Sequence, residues 1–305
     1  MNIEALKDFE IIGCEGTDKN VISRPTITYW QDAWRRLKKN KIAITSILIL
    51  IALAVLVIIG PTMRHYDYIS IKAAEKNTAP NAKYWFGTDN LGRDLYARTW
   101  LGARVSMTVA LVCTAIQILI GSIYGGTMAY LGGRTDDVMM RIIEFITAMP
   151  SLLITILIML VLGNNMFALL IALSVTSWCE TARQMRGLIL QLKTSEYVLA
   201  AKALGASPKR VIIRHLIPNT LGILILITAS SIPTYIFTEA GLSFLGMGLQ
   251  PPDISLGILI SFGQQSMDFY PYQLFYPALI LCITVLAFNL LGDGLRDALD
   301  PRLRQ

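Results

Sequence analysis

Charge is scarce in this chain. Only 16% of its 305 residues are Asp, Glu, Lys or Arg, whereas 54% are hydrophobic. That balance excludes an ordinary soluble domain and makes a polytopic membrane protein the first expectation. Histidine occurs twice and cysteine four times. Cys14, Cys113, Cys179 and Cys282 form no CxxC pair and no Cys/His cluster, so neither a zinc centre nor a disulfide framework is indicated and no metal or other cofactor is expected in this chain. The last three fall in apolar runs and read as small buried residues. A GxxxxGK[ST] run is missing, which excludes a P-loop ATPase. Paired carboxylates near the middle of an apolar run are also missing. Glu144, Glu180 and Glu239 each lie close to the end of such a run, where a charged tip can snorkel to water, and this weighs against a proton-coupled carrier.

What is abundant is long apolar sequence. A bilayer core about 30 Å thick needs roughly 20 apolar residues as helix, and about six segments qualify: 42–60, 105–131, 143–162, 166–185, 216–239 and 274–295. The first follows 41 mostly polar residues, which argues against a cleaved signal peptide. Lys and Arg assign orientation. With the N-terminus inside, twenty of the 27 fall on the inner side and seven, all between Arg64 and Arg104, on the outer side. Residues 163–166 and 241–273 hold none. Both termini are therefore expected in the cytoplasm, and the net charge of +6 is a topology signal, with no nucleic-acid partner implied.

The domain reading follows from these boundaries. Residues 1–41 form a cytoplasmic tail whose part "TYWQDAWRRLKKNK" reads as an amphipathic helix at the lipid interface. Span 42–60, nearly all Ile, Leu, Val and Ala, is peripheral. Residues 61–104 form an extracellular loop in which Asp89, Arg93, Asp94 and Arg98, spaced four or five apart, suit a short charged helix with internal ion pairs. Residues 105–295 form a five-helix core rich in Gly, Ala, Ser and Thr, which permit close helix approach in lipid, with a cytoplasmic loop at 186–217. Residues 296–305 form a cytoplasmic tail. Pro150 and Pro233 sit inside spans, where they kink a helix or loosen its hydrogen bonding.

The loop contains "EYVLAAKALGASPKRVIIRHLIPN", residues 196–219. Thr194 and Ser195 are N-cap residues, Glu196 adds a favourable charge to the first turn, and Gly205 supplies a left-handed stop. Ser207 followed by Pro208 starts a second helix. Ala200, Ala201 and Gly205 offer little bulk, so the first short helix suits docking into another protein's groove. His215, without partners, reads as an interfacial or capping residue.

The spacing Ala200-Ala201, three residues, Gly205, nine residues, His215-Leu216-Ile217-Pro218 resembles the EAA loop of binding-protein-dependent ABC importer permeases. Leu199 stands where the family usually has Glu, and His215 where it often has Ile, as in the peptide and nickel branch. "FGTDNLGRDLYARTWLGARVS" (86–106) and "EAGLSFLGMGLQPPDISLG" (239–257) resemble signatures of the C-type permease of oligopeptide and dipeptide importers. The resemblance runs from Arg24 to Arg304.

It implies an all-α type I ABC importer permease fold in the plasma membrane of a prokaryote. The chain would form half of a peptide translocation path, paired with a B-type permease subunit. Two ATP-binding subunits holding ATP and Mg would hydrolyse the ATP, and an extracellular binding protein would deliver the peptide. By this resemblance Ala200, Ala201 and Gly205 dock on the ATPase, with Glu196 and Lys202 as flanking contacts. Asp89, Arg93, Asp94, Gln250, Pro251 and Pro252 are candidates for a gate or for contact with the binding protein. The alternatives are a permease of the same family carrying nickel or another small solute, and a secondary transporter.

Overall fold

The computed structural model describes residues 29–63, 71–250 and 253–299. Helix α1, Tyr29–Lys39, buries Ala33 and Leu37 and leaves Trp30 and Trp34 exposed, the two-faced pattern that its sequence predicts. Asn40 then starts α2, Lys41–Ile59, by accepting from the backbone N–H of Ile42 (3.0 Å) and Ala43 (3.2 Å) at its Oδ1. Helix α2 turns Ala43, Ser46, Leu53 and Val57 inward and leaves Leu48, Ile51, Val55 and Ile58 exposed. One packed side is what a peripheral span requires.

Helix α3, Leu95–Leu131, is the central element, with 37 residues and a length of about 55 Å. It begins ten residues before the segment 105–131 expected from the sequence, because the Asp94 carboxylate caps the N–H groups of Tyr96 and Ala97. Its small residues let α6, Met166–Leu192, lie directly against it. A Cβ on Gly121 would stand 2.7 Å from the Thr181 side chain, and one on Gly125 would stand 2.3 Å from the Ala182 carbonyl oxygen.

The apolar segment 143–162, expected as one span, is broken. Helices α4, Gly133–Thr147, and α5, Ser151–Leu162, meet at a bend of 75°. Pro150 stands at the break, since it cannot continue the hydrogen-bond ladder and disfavours helix at the residue before it. Pro233 has no such effect. It lies inside an uninterrupted helix, α10 below, and is buried there.

Beyond α6 come α7, Glu196–Ala203, α8, Pro208–Val211, a π-helical stretch Ile212–Leu216, α9, Ile217–Asn219, and α10, Leu221–Phe244. Helix α11, Leu256–Gln265, at about 15 Å is too short to cross a bilayer. It folds back against α3, α10 and α12, Tyr272–Leu299, and a Cβ on Gly257 would meet the Ala240 Cα at 2.6 Å. Helix α2 with its continuation to Thr62, and α3, α10 and α12, are long and apolar enough to cross a membrane, and α4 with α5 adds a fifth if the bent pair is one span. Helix α6 has the length of a span, but Glu180, Arg183 and Arg186 interrupt its apolar run.

Three of the five apolar clusters among the described residues join the helices around the cavity and the loop. One joins Val109 and Cys113 of α3, Leu169 and Leu173 of α6, and Ile232 and Ile236 of α10. A second joins Met185 and Ile189 of α6 to Val198, Val211 and Leu216 of the following loop. The third joins Leu53 and Val57 of α2 to Tyr96 and Trp100 of α3 and Ile280 of α12.

Candidate functional site

Of the expected loop 186–217, residues 186–192 continue α6, and the remainder folds as α7 and the helical run that starts at Pro208, on either side of Gly205 as Gly205 and Ser207-Pro208 predict. Gly205 has φ +77°. Its N–H donates to the Lys202 carbonyl (2.9 Å), and that of Ala206 donates to the Ala201 carbonyl (3.0 Å). This pair of bonds is a Schellman motif closing α7. The Ser207 Oγ accepts from the Arg210 N–H (3.4 Å) with Pro208 at the first helical position.

The expected caps at the start of α7 behave differently. The Ser195 hydroxyl donates backwards to the Leu192 carbonyl (2.5 Å), and that of Thr194 to the Gln191 carbonyl (3.0 Å). They satisfy the orphan carbonyls that end α6 and make no side-chain cap on α7. A hydroxyl at such a junction faces unsatisfied groups on both sides, and the sequence does not say which it takes.

Helix α7 is held on the bundle by Val198, fully buried, and by the Lys202 ammonium, 5.0 Å from the centre of the Tyr130 ring. Lys202 is thus turned towards α3, unlike its expected neighbours in the docking set. Glu196, Ala200 and Gly205 are exposed and Ala201 is half-buried. Beside them Leu199 is 53% and Leu204 88% exposed, an apolar face that sequence reasoning passed over. The platform beneath is braced by a two-bond pair, Arg186 Nε to Asp136 Oδ1 (2.7 Å) and Nη2 to Oδ2 (2.6 Å), and by Lys193 Nζ donating to the Ala129 carbonyl (3.2 Å).

The structure brings Asp89, Arg93 and Asp94 together, though in a turn that precedes α3 and not in the expected short helix. Asp89 Oδ1 accepts from the N–H groups of Leu91 and Arg93, both at 2.9 Å, and Oδ2 lies 2.7 Å from Arg93 Nε and 3.5 Å from Arg98 Nε. An Asx turn with Gly92 at φ +76° is incompatible with helix at that point. Asp94 is buried as the α3 cap. Tyr272 and Gln273 of α12 both donate to the Thr88 carbonyl (3.2 and 3.0 Å) and fasten the segment to the bundle. Glu75, bonded by the Lys83 ammonium and the Tyr84 hydroxyl, has its carboxyl held below the usual range, first by the bond from Lys83 and then by that from Tyr84. Gln250 is exposed and donates to the Gly246 carbonyl (3.1 Å), apart from that cluster. Pro251 and Pro252 lie outside the described residues.

Glu239 does not reach water as a snorkelling carboxylate would. Its side chain is fully buried, with Ser106 Oγ donating to Oε2 (2.7 Å) and Ser243 Oγ to Oε1 (2.9 Å). The Ser106 oxygen also accepts from the Leu256 N–H (3.3 Å), so one knot ties α3, α10 and α11. Glu144 and Glu180 are exposed and pair with Arg141 and Arg183, as a snorkelling position allows. The one local sign of the knot was Ser243, four residues after Glu239 and so on the same helix face. Cys113 and Cys179 are buried as expected, whereas Cys282 is exposed.

Between the α4–α5 break, α6, α10 and α12 lies a cavity of about 1160 Å³. Its wall carries a buried polar chain in which the Tyr235 hydroxyl donates to Gln117 Oε1 (2.8 Å) and Gln117 Nε2 donates to Thr181 Oγ1 (2.8 Å). The charges around it, Glu180, Arg183, Asp293 and Arg296, come from α6 and the end of α12.

Comparison with known proteins agrees with this geometry. The family described as binding-protein-dependent transport system inner membrane component matches residues 117–305. The one described as N-terminal TM domain of oligopeptide transport permease C matches residues 28–80. The oligopeptide transport system permease protein OppC of Bacillus subtilis (strain 168) is 42% identical over 297 residues, 97% of either chain. The dipeptide transport system permease protein DppC of the same organism is 46% identical over 285 residues, 93% of this chain and 89% of its own. OppC of Escherichia coli (strain K12) is 39% identical over 277 residues, 90% of this chain and 92% of its own. Among solved structures, a chain from inward facing conformations of the MetNI methionine ABC transporter has a TM-score of 0.51 at 18% identity, covering 65% of this chain and 96% of that one. That last likeness is one of fold.

Proposed function

The chain belongs to the binding-protein-dependent transport system inner membrane component family, and from that membership we propose that its cargo is a dipeptide or oligopeptide. The chain supplies half of a translocation path, a related permease subunit supplies the other half, and a binding protein delivers the peptide from outside. Two cytoplasmic subunits hydrolyse ATP with Mg, and both termini of this chain lie on their side of a prokaryotic plasma membrane. The relatives named as oligopeptide and dipeptide permeases support the cargo class.

The observation that carries the coupling role is α7 itself. It is anchored from beneath by Val198, closed by a Schellman turn at Gly205, and presents Ala200, Leu199 and Leu204 outwards. An apolar face on a helix of eight residues gains its stability from what it packs against, and the ATP-binding subunit is the partner assigned to it, with Ala200, Ala201 and Gly205 in the contact and Glu196 at its edge. Asp89, Arg93 and Asp94 act by shaping the turn offered to the binding protein, and Gln250, Pro251 and Pro252 contribute from the α10–α11 connection. Deleting residues 251–255 should lower peptide uptake while the complex still assembles. Full uptake by that deletion would remove the connection from the contact.

The decisive test is Gly205→Trp in the assembled transporter. The left-handed backbone at this position, φ +77°, disfavours a residue with a Cβ by about 1–2 kcal/mol, and the added ring would stand in the contact. Peptide uptake should be abolished at normal expression. Uptake at the wild-type rate would sink the coupling role.

A further inference from the structure

The cavity bordered by α6, α10 and α12 is lined along α10 by hydroxyl groups. Ser230 and Thr234 are exposed, and Thr238 is half-exposed on the same face. In a helix long and apolar enough to cross a membrane, this row of hydroxyls lines the cavity, where its oxygens can still accept from water or cargo.

Their hydrogen bonds define what this row can offer. Ser230 donates to the Leu226 carbonyl (3.1 Å), Thr234 to the Ser230 carbonyl (2.9 Å) and Thr238 to the Thr234 carbonyl (2.8 Å). Each hydroxyl proton is thus occupied within its own helix. What faces the cavity is oxygen lone pairs, which accept and do not donate. No formal charge competes along this face, because Glu239, the acidic residue of α10, is turned into the knot with Ser106 and Ser243.

The spacing is also selective. Residues four apart on a helix recur about every 6 Å, while N–H groups on one side of an extended peptide recur about every 6.6 Å. We infer that Ser230, Thr234 and Thr238 form a rail of acceptors along which the amide N–H groups of an extended peptide pass. This rests on the peptide-import reading above. Contacts to main-chain N–H groups ignore side chains, so the rail passes peptides by backbone and leaves residue preference to other parts of the system.

The test uses the complete transporter in vesicles, with its partner permease, ATP-binding subunits and binding protein. The cargo is a pair of peptides, one with its internal amides N-methylated, chosen so that the binding protein holds both equally. Wild type should import the methylated peptide several-fold more slowly. The variant S230A/T234V/T238V should import the unmethylated peptide about tenfold more slowly, the factor for a net loss of about one hydrogen bond along the path, and should no longer distinguish the pair. ATP hydrolysis and copurification should be unchanged, and Thr234→Ser, which keeps the oxygen, should behave as wild type.

A triple variant that keeps both the rate and the preference overturns the rail. So does a triple variant that no longer copurifies, because the hydroxyl face would then be packing against the partner permease. A wild-type complex that hydrolyses ATP and accumulates neither peptide removes the peptide reading itself, an outcome distinct from failure of the rail.

Discussion

Glu239 shows how a single side chain can be costly and indispensable together. It is fully buried with hydroxyl partners on both oxygens, and removing it leaves those hydroxyls without an acceptor. Glu239→Leu should therefore destabilise the folded chain by about 1–3 kcal/mol, read as a lower unfolding temperature in detergent, while Glu239→Gln, which keeps an acceptor oxygen, should cost less. Equal costs would mean that the knot holds nothing. At Glu75 the same logic gives a pH dependence. Its carboxyl is held below the ordinary value by Lys83 and Tyr84. The ordinary, unfolded value is about 4.3, so the added stability is present above it and is lost as pH falls through the lowered folded value. Protease nicking of the segment 71–94 should be faster for Glu75→Gln than for wild type at pH 7, and the gap should close in acid.

At the level of elements, close packing and termination govern the fold. Helices α3 and α6 touch through glycine, and the Cβ of a Gly125→Ala variant would fall 2.3 Å from the Ala182 carbonyl oxygen and 2.9 Å from the Met185 Cβ. Overpacking of this kind costs about 1–3 kcal/mol. The variant should purify in lower yield and unfold at lower temperature, whereas Gly133→Ala, with nothing within 4 Å but a φ of +54°, should show a smaller loss. Equal losses would show that backbone strain, not helix approach, is the stronger demand. The break at Pro150 belongs to the same scale. It turns a segment that reads as one span into two helices bent by 75°, and that elbow forms one wall of the cavity.

As a whole molecule the chain is open on one side. Its cavity is bounded by its own helices and carries polar groups on spanning elements, while α7 projects an apolar face. Both features suit the partners proposed above. Orientation is testable at this scale. In a background lacking Cys14 and Cys282, with Cys113 and Cys179 buried, Leu204→Cys should react with an impermeant thiol reagent only from the cytoplasmic side and Leu91→Cys only from the outer side. The reverse pattern would invert the topology that the Lys and Arg distribution assigns.

Local chemistry made much of this legible in the sequence. Apolar length located four of the six expected segments as long apolar helices, because a bilayer imposes a fixed thickness, and Gly205 with Ser207-Pro208 marked the pair of short helices because caps and left-handed turns depend on neighbours a few residues away. The same residues could not say that Ser195 caps the helix before it, that Asp89 closes a turn in place of a helix, or that Lys202 lies over Tyr130. Nor could they place Glu239 among Ser106 and Ser243, since Ser106 is 133 residues distant. Those outcomes depend on which groups distant segments bring within hydrogen-bonding reach, and only the packed tertiary structure decides that.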